Sequence, residues 1–168
     1  MTCPYQQICG GCPYRDLSAL DYQKLKTEQF QRTIAKIEQD DIKIGQPIFI
    51  ADGTRRRAEL AFKHNRGNLV FGFNESKSHE LINIENCPLL TDKINSIIPL
   101  LRTFLNEFCN IKVSEKLKNK KFRTYNIGCG DICITEAVNG IDILFEINEP
   151  LGLEHRMLLC DFANSSDD

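Results

Sequence analysis

Three cysteines stand within the first dozen residues, in Cys3-Pro-Tyr-Gln-Gln-Ile-Cys9-Gly-Gly-Cys12, and a fourth, Cys87, lies far along the chain in Asn86-Cys87-Pro88. Thiolates at short fixed spacing, completed by one from a distant turn, are the ligand set of a four-cysteine site for an iron–sulfur cluster or for zinc. Gly10 and Gly11 suit either group, because bare backbone can approach it closely and turn amide N–H groups toward its sulfurs. The other four cysteines, Cys109, Cys129, Cys133 and Cys160, fall in helical or strand patterns and read as structural thiols. Gly128-Cys129-Gly130-Asp131 superficially resembles a cofactor-binding glycine loop. Such a loop needs a helix after it, whereas Ile132, Ile134 and Val138 alternate as in a strand. His64, His79 and His155 are isolated, and no serine–histidine–acid or paired-carboxylate arrangement stands out.

Basic residues gather in two places. Arg55, Arg57 and Lys63 fall on the polar face of one predicted strand, where they are either solvated or in contact with phosphates. Lys116, Lys118, Lys120, Lys121 and Arg123 form a second run, read as an exposed connection. The net charge of −2 supplies no global attraction to nucleic acid, so any such binding must be local.

The elements that position these residues follow from periodicity. Ser18, with Asp21 three positions on, predicts a helix start, and Tyr22, Leu25, Phe30, Ile34 and Ile37 form a stripe to about Gln39. Pro47–Ile50 predicts a short strand. Arg57–His64 alternates with Ala58, Leu60 and Phe62 on one face, turns at His64–Asn68, and returns through Leu69–Phe73. His79–Ile84 predicts a third strand leading into Cys87. Ile94, Ile97, Ile98, Leu101, Phe104, Leu105 and Phe108 recur at helical spacing from Thr91 onward, with Pro99 placed to kink or split the helix. Thr124–Ile147 reads as a meander broken at Gly128–Asp131 and at an Asn139-Gly140 hairpin. Pro150 is placed to open a last helix carrying Leu151, Met157, Leu158 and Phe162. The expected fold class is therefore α+β, with mostly antiparallel strands, two to three helices and an N-terminal cysteine loop. The N-terminus has neither the basic region nor the apolar run of a signal peptide, and no segment approaches the length of a membrane span. Eight cysteines in such a chain favour metal ligation and buried thiols over disulfides, and the expected location is cytoplasmic.

Taken in order, several stretches resemble the bacterial 23S rRNA (uracil-5-)-methyltransferases that carry a [4Fe-4S] cluster. The resemblance rests on Cys3-x5-Cys9-Gly-Gly-Cys12, Tyr22-Gln23-Lys24-Leu25-Lys26 and Arg55-Arg56-Arg57-Ala58-Glu59-Leu60. It continues through Gly72-Phe73-Asn74-Glu75-Ser76-Lys77-Ser78-His79 and Ile84-Glu85-Asn86-Cys87-Pro88, and covers roughly residues 1–165. It implies that Cys3, Cys9, Cys12 and Cys87 hold a [4Fe-4S] cluster, with zinc as the alternative, and that Arg55, Arg57 and Lys63 face ribosomal RNA. It further implies a cluster loop (residues 1–17 with Cys87) and an α+β central domain (residues 18–165). Family members add a Rossmann-like domain that binds S-adenosylmethionine and supplies the nucleophilic cysteine and the base. No Phe-x-Gln-x-Asn or Asp-Pro-Pro-Arg segment is found here, so the expectation is a part without its catalytic domain, or half of an enzyme completed by a separate chain. The competing expectation is a freestanding four-cysteine module that binds RNA or senses redox state. Arg15 departs from the family, which usually has glutamine after the cysteine loop.

Overall fold

The computed structural model describes residues 3–37, 43–116 and 121–165. Its main layer is a five-stranded antiparallel sheet, formed by β1 (Arg57–Asn65), β2 (Asn68–Asn74), β3 (Leu81–Asn83), β6 (Cys129–Ala137) and β7 (Gly140–Glu146) in the order β3-β2-β1-β6-β7. A separate two-stranded sheet pairs β4 (Lys112–Lys116) with β5 (Phe122–Asn126). Three helices complete the fold: α1 (Ala19–Ile34), α2 (Asp92–Asn110) and α3 (Leu153–Ser165). The class is α+β, as the sequence predicts, and no barrel closes among the described residues.

The core lies between one sheet face and α2. Period-two alternation puts Ala58, Leu60 and Phe62 of β1 and Ile132 and Ile134 of β6 on the same side, where all are buried. Against them α2 buries Ile94, Ile97, Ile98, Leu101, Phe104, Leu105, Phe108 and Cys109. Thr91 caps this helix by accepting from the Ile94 N–H, and the helix runs unbroken through Pro99. Arg102 ties its flank to the sheet by donating to Asn83 Oδ1 and, at 2.5 Å, to the Ile84 carbonyl. Two turns of α3 close the far end, where Phe104 meets Phe162 at 4.7 Å between ring centroids and Phe108 meets His155 edge-on at 4.6 Å. Gly130 lets β6 pass here, since a Cβ would sit 2.8 Å from both the Glu146 carbonyl oxygen and the Phe62 ring.

His155 is fully buried, and among the described residues neither ring nitrogen finds a well-aligned hydrogen-bond partner. Burial pushes its pKa down, while the nearby Phe108 carbonyl and Glu154 carboxylate act weakly in the opposite direction.

Several expectations are corrected. The first helix stops at Ile34, short of Gln39, and residues 38–42 lie outside the described residues. Its stripe does not enter the core: none of its residues is buried, Phe30 stays half exposed, and Tyr22 meets Phe49 at 6.4 Å. Amphipathic period alone cannot say which neighbour covers a face. Pro47–Ile50 forms no strand, because no edge pairs with it. The third strand shortens to Leu81–Asn83. The basic run is flanked by paired strands and not by plain connection, with Lys118 and Lys120 outside the described residues. The last hairpin exists, but its turn is centred on Val138-Asn139, and Gly140 already pairs with Ala137. The last helix begins at Leu153, three residues after Pro150. No helix among the described residues is long and apolar enough to cross a membrane.

Candidate metal centre

The N-terminal loop reaches its site by extending the β2 end. The Gly10 N–H donates to the Asn74 carbonyl at 3.1 Å, the Ser76 N–H donates to the Ile8 carbonyl at 2.8 Å, and Cys9 bridges to Glu75. This approach is close enough that a Cβ on Gly10 would meet Asn74 O and Ser76 Cα at 3.3 Å. Tyr5, between the first two cysteines, accepts from the Glu85 N–H at 3.0 Å and so anchors the loop to the segment leading to Cys87. Arg15 closes the loop from the other side, donating through both terminal nitrogens to Asp52 at 2.8 and 2.5 Å. That fork holds the Asp52 carboxyl below its usual range and pushes the guanidinium pKa up. The departure at Arg15 is thus accommodated by an ion pair with Asp52, and the guanidinium also lines the cysteine cavity.

The distant ligand comes from a tight turn. In Cys87-Pro88-Leu89-Leu90 the Leu90 N–H donates to the Cys87 carbonyl at 3.1 Å, with proline at the turn's second position. Residues 53–55 lace along it, as the Gly53 and Arg55 N–H groups donate to the Pro88 and Leu89 carbonyls, both at 2.9 Å. Arg55 therefore lies outside β1, in an isolated parallel bridge with Leu90, and not on the strand face predicted for it.

These contacts bring Cys3, Cys9, Cys12 and Cys87 to one cavity, shared with Tyr5, Phe73, Ile84 and Pro88. All four thiols are half-buried. The donor set fits a metal group through its backbone dipoles as well as its sulfurs. The Gly11 N–H donates to Cys9 Sγ at 3.4 Å, and the Leu89 and Leu90 N–H groups favour the Cys87 thiolate. Without a metal the thiols oppose one another. Burial, then Cys87 and Cys9, push the Cys12 pKa up, while Arg15 and Arg55 pull it down. Burial likewise dominates at Cys87, with Cys3 and Cys9 adding to it. Among the described residues, however, no three histidine, cysteine, aspartate or glutamate side chains gather tightly enough to hold a single metal ion.

The basic residues do not converge. Arg57 and Lys63 share the open face of β1, six residues or about 20 Å apart along the strand. Arg57 pairs with Glu59 at 3.1 Å and also interacts with Cys133. In register, this open face also carries Asp131, Asp142 and Glu146, so its acids outnumber its bases. The glycine segment at Gly128 leads straight into β6, and so is strand as expected. Sequence reading missed the contributions of Tyr5 and Asp52, whose partners lie 80 and 37 residues away and leave no local signal.

No family model matches the chain. Curated relatives do. The 23S rRNA (uracil(1939)-C(5))-methyltransferase RlmD of Histophilus somni is 27% identical over 165 residues, covering 96% of this chain and 34% of that protein. The enzyme of the same name from Erwinia tasmaniensis is 34% identical over 111 residues, covering 62% of this chain and 24% of that protein. An uncharacterized RNA methyltransferase of Mesorhizobium japonicum is 26% identical over 162 residues, covering 96% and 35%. The chain thus spans about a third of the length of the curated relatives it matches.

Proposed function

We propose that this chain, a relative of the 23S rRNA (uracil-C5)-methyltransferases over nearly its whole length, is the cluster-bearing and RNA-facing part of such an enzyme. The observation that carries the reading is the convergence of Cys3, Cys9, Cys12 and Cys87 on one cavity from both ends of a 75-residue separation. A tetrahedral zinc site needs every sulfur about 2.3 Å from one point. A [4Fe-4S] cluster spreads its thiolates over four separate irons. Four thiols lining one cavity can serve either group, and the likeness of Cys3-x5-Cys9-Gly-Gly-Cys12 to the cluster-bearing methyltransferases favours the cluster.

Bound there, the cluster would supply a covalent tie among four sulfurs, and cysteine ligation of every iron would leave no open coordination position. The chain's own residues do the rest. Tyr5 and Gly10 hold the loop against the sheet, Arg15 and Asp52 close it, and the Leu89 and Leu90 amides stabilise negative charge at the Cys87 sulfur. Methyl transfer from S-adenosylmethionine to uracil C5 belongs, in this reading, to the portion of the relatives that this chain does not span. The sheet described here is antiparallel throughout and has none of the parallel crossovers of a doubly wound nucleotide-binding domain.

The test is anaerobic purification with metal and sulfide analysis. About four irons and four sulfides per chain, with broad visible absorbance, are expected. One zinc per chain and no colour would reject the cluster.

RNA contact is proposed for the edge beside the metal centre. Arg55 lies close enough to lower the Cys12 pKa, and Arg57 follows two residues on, whereas the acidic remainder of the open face would repel phosphate. Arg57→Glu should weaken RNA binding and reduce the salt slope by about 1, as for one lost phosphate contact. Unchanged affinity and slope in a salt titration would remove Arg57 from the interface.

A further inference from the structure

We propose that Asn95 is a positioning residue that presets Cys87 for metal ligation; the inference rests on the cluster reading above. Asn95 lies in the first turn of α2, and its carboxamide is fully engaged with the Cys87 turn. Oδ1 accepts from the Cys87 N–H at 2.9 Å, and Nδ2 donates to the carbonyls of Cys87 at 3.1 Å and Leu90 at 3.2 Å. Both backbone polar groups of the ligand residue are therefore held by one side chain, and the far end of the turn is held by the same nitrogen. Pro88 fixes a further backbone angle and brings no donor of its own. With these restraints, and with the Leu90 N–H closing the turn on the Cys87 carbonyl at 3.1 Å, the Cys87 side chain is held at the cavity wall.

This site needs such a device more at Cys87 than elsewhere. Cys3, Cys9 and Cys12 share one short loop, whereas Cys87 alone must be presented from the opposite wall of the cavity. Asn95 is not required to start the helix, since Thr91 caps it through Ile94 and the Asn95 backbone N–H already bonds the Thr91 carbonyl at 3.0 Å. Asparagine is also a poor helix former, because its side chain competes for backbone groups. Here that competition is directed wholly at the ligand turn. Partners behind a ligand typically change metal affinity by about ten- to a hundredfold when removed.

The experiment compares the whole chain with Asn95→Leu and Asn95→Asp, each purified anaerobically. Iron per chain, visible absorbance and its half-life in air are measured, together with the melting temperature of the metal-free form. Asn95→Leu should lose absorbance about tenfold faster than the parent protein. Asn95→Asp, which keeps the acceptor for the Cys87 N–H and loses both donations, should fall between them. A purely structural role would lower the metal-free melting temperature and leave the half-life of folded, loaded chains alone. Parental iron content and half-life in both variants would overturn the proposal while the cluster reading stands. A parent protein without iron would overturn the cluster reading itself, and this inference with it.

Discussion

Cys87→Ser should give a folded chain that purifies without colour and with far less than the about four irons expected of the parent. A serine hydroxyl is a poor replacement, because a soft thiolate is what iron–sulfur ligation demands and the alcohol keeps its proton at neutral pH. The residue cannot be replaced from nearby, since the other half-buried thiols at the cavity all come from the N-terminal loop. Metal binding to such a site is also folding free energy. The variant should therefore melt at the temperature of the metal-free parent, and adding chelator should not lower it further. Cys160→Ser is the control: its thiol is exposed on α3, away from the cavity, and the colour should be retained. Full absorbance in Cys87→Ser would take Cys87 out of the ligand set.

Phe108→Ala should lower the unfolding free energy by about 3–5 kcal/mol, the range for deleting a fully buried aromatic ring. Phe108 is wholly inaccessible and its ring lies 5.3 Å from Phe104, 6.5 Å from Phe145 and 4.6 Å from His155, so no single neighbour can collapse into the space. Denaturant unfolding measures it, and a loss below about 1 kcal/mol would mean that the layer repacks. The same layer sets an acid sensitivity. The folded pKa of His155 is depressed below its ordinary 6.5, so the unfolded chain takes up its proton first. The stability associated with neutral His155 is thus fully present above pH 6.5 and is lost as pH falls from there toward the folded value.

What the sequence shows and what it hides divide along physical lines. The α2 stripe and the β1 alternation are legible because each repeats one local period over many residues, and burial follows period wherever a facing layer exists. The same reasoning misjudges α1, whose stripe is weaker and is not buried by anything among the described residues. It also misjudges Pro47–Ile50, where apolar β-branched residues have no strand to pair with. At the candidate metal centre, the four cysteines that line one cavity stand out in the sequence because thiol spacing is itself a chemical signal. The residues that aim them are not. Asn95, Tyr5 and Asp52 act through side-chain hydrogen bonds to partners 8, 80 and 37 residues away, and one polar residue at such a separation carries no periodicity. The basic residues show the opposite error: one strand face gathers Arg57 and Lys63, but its neighbours in register contribute acids that reading a single strand cannot see.

The placement of Cys87, the proposed fourth ligand, sets an order of events during protein synthesis. Cys12 leaves the ribosome 75 residues ahead of Cys87, an interval of about 4–15 s at ordinary elongation rates. Throughout that interval the nascent chain displays three thiols and no closing ligand. β1, β2 and β3 all lie between the two, and the loop's own anchors at Asn74, Ser76 and Glu85 are made during the same interval. The proposed four-thiol site therefore cannot be complete before β1, β2, β3 and Cys87 itself have been made, and a delivery factor acting earlier would meet only three thiols on an unfolded chain.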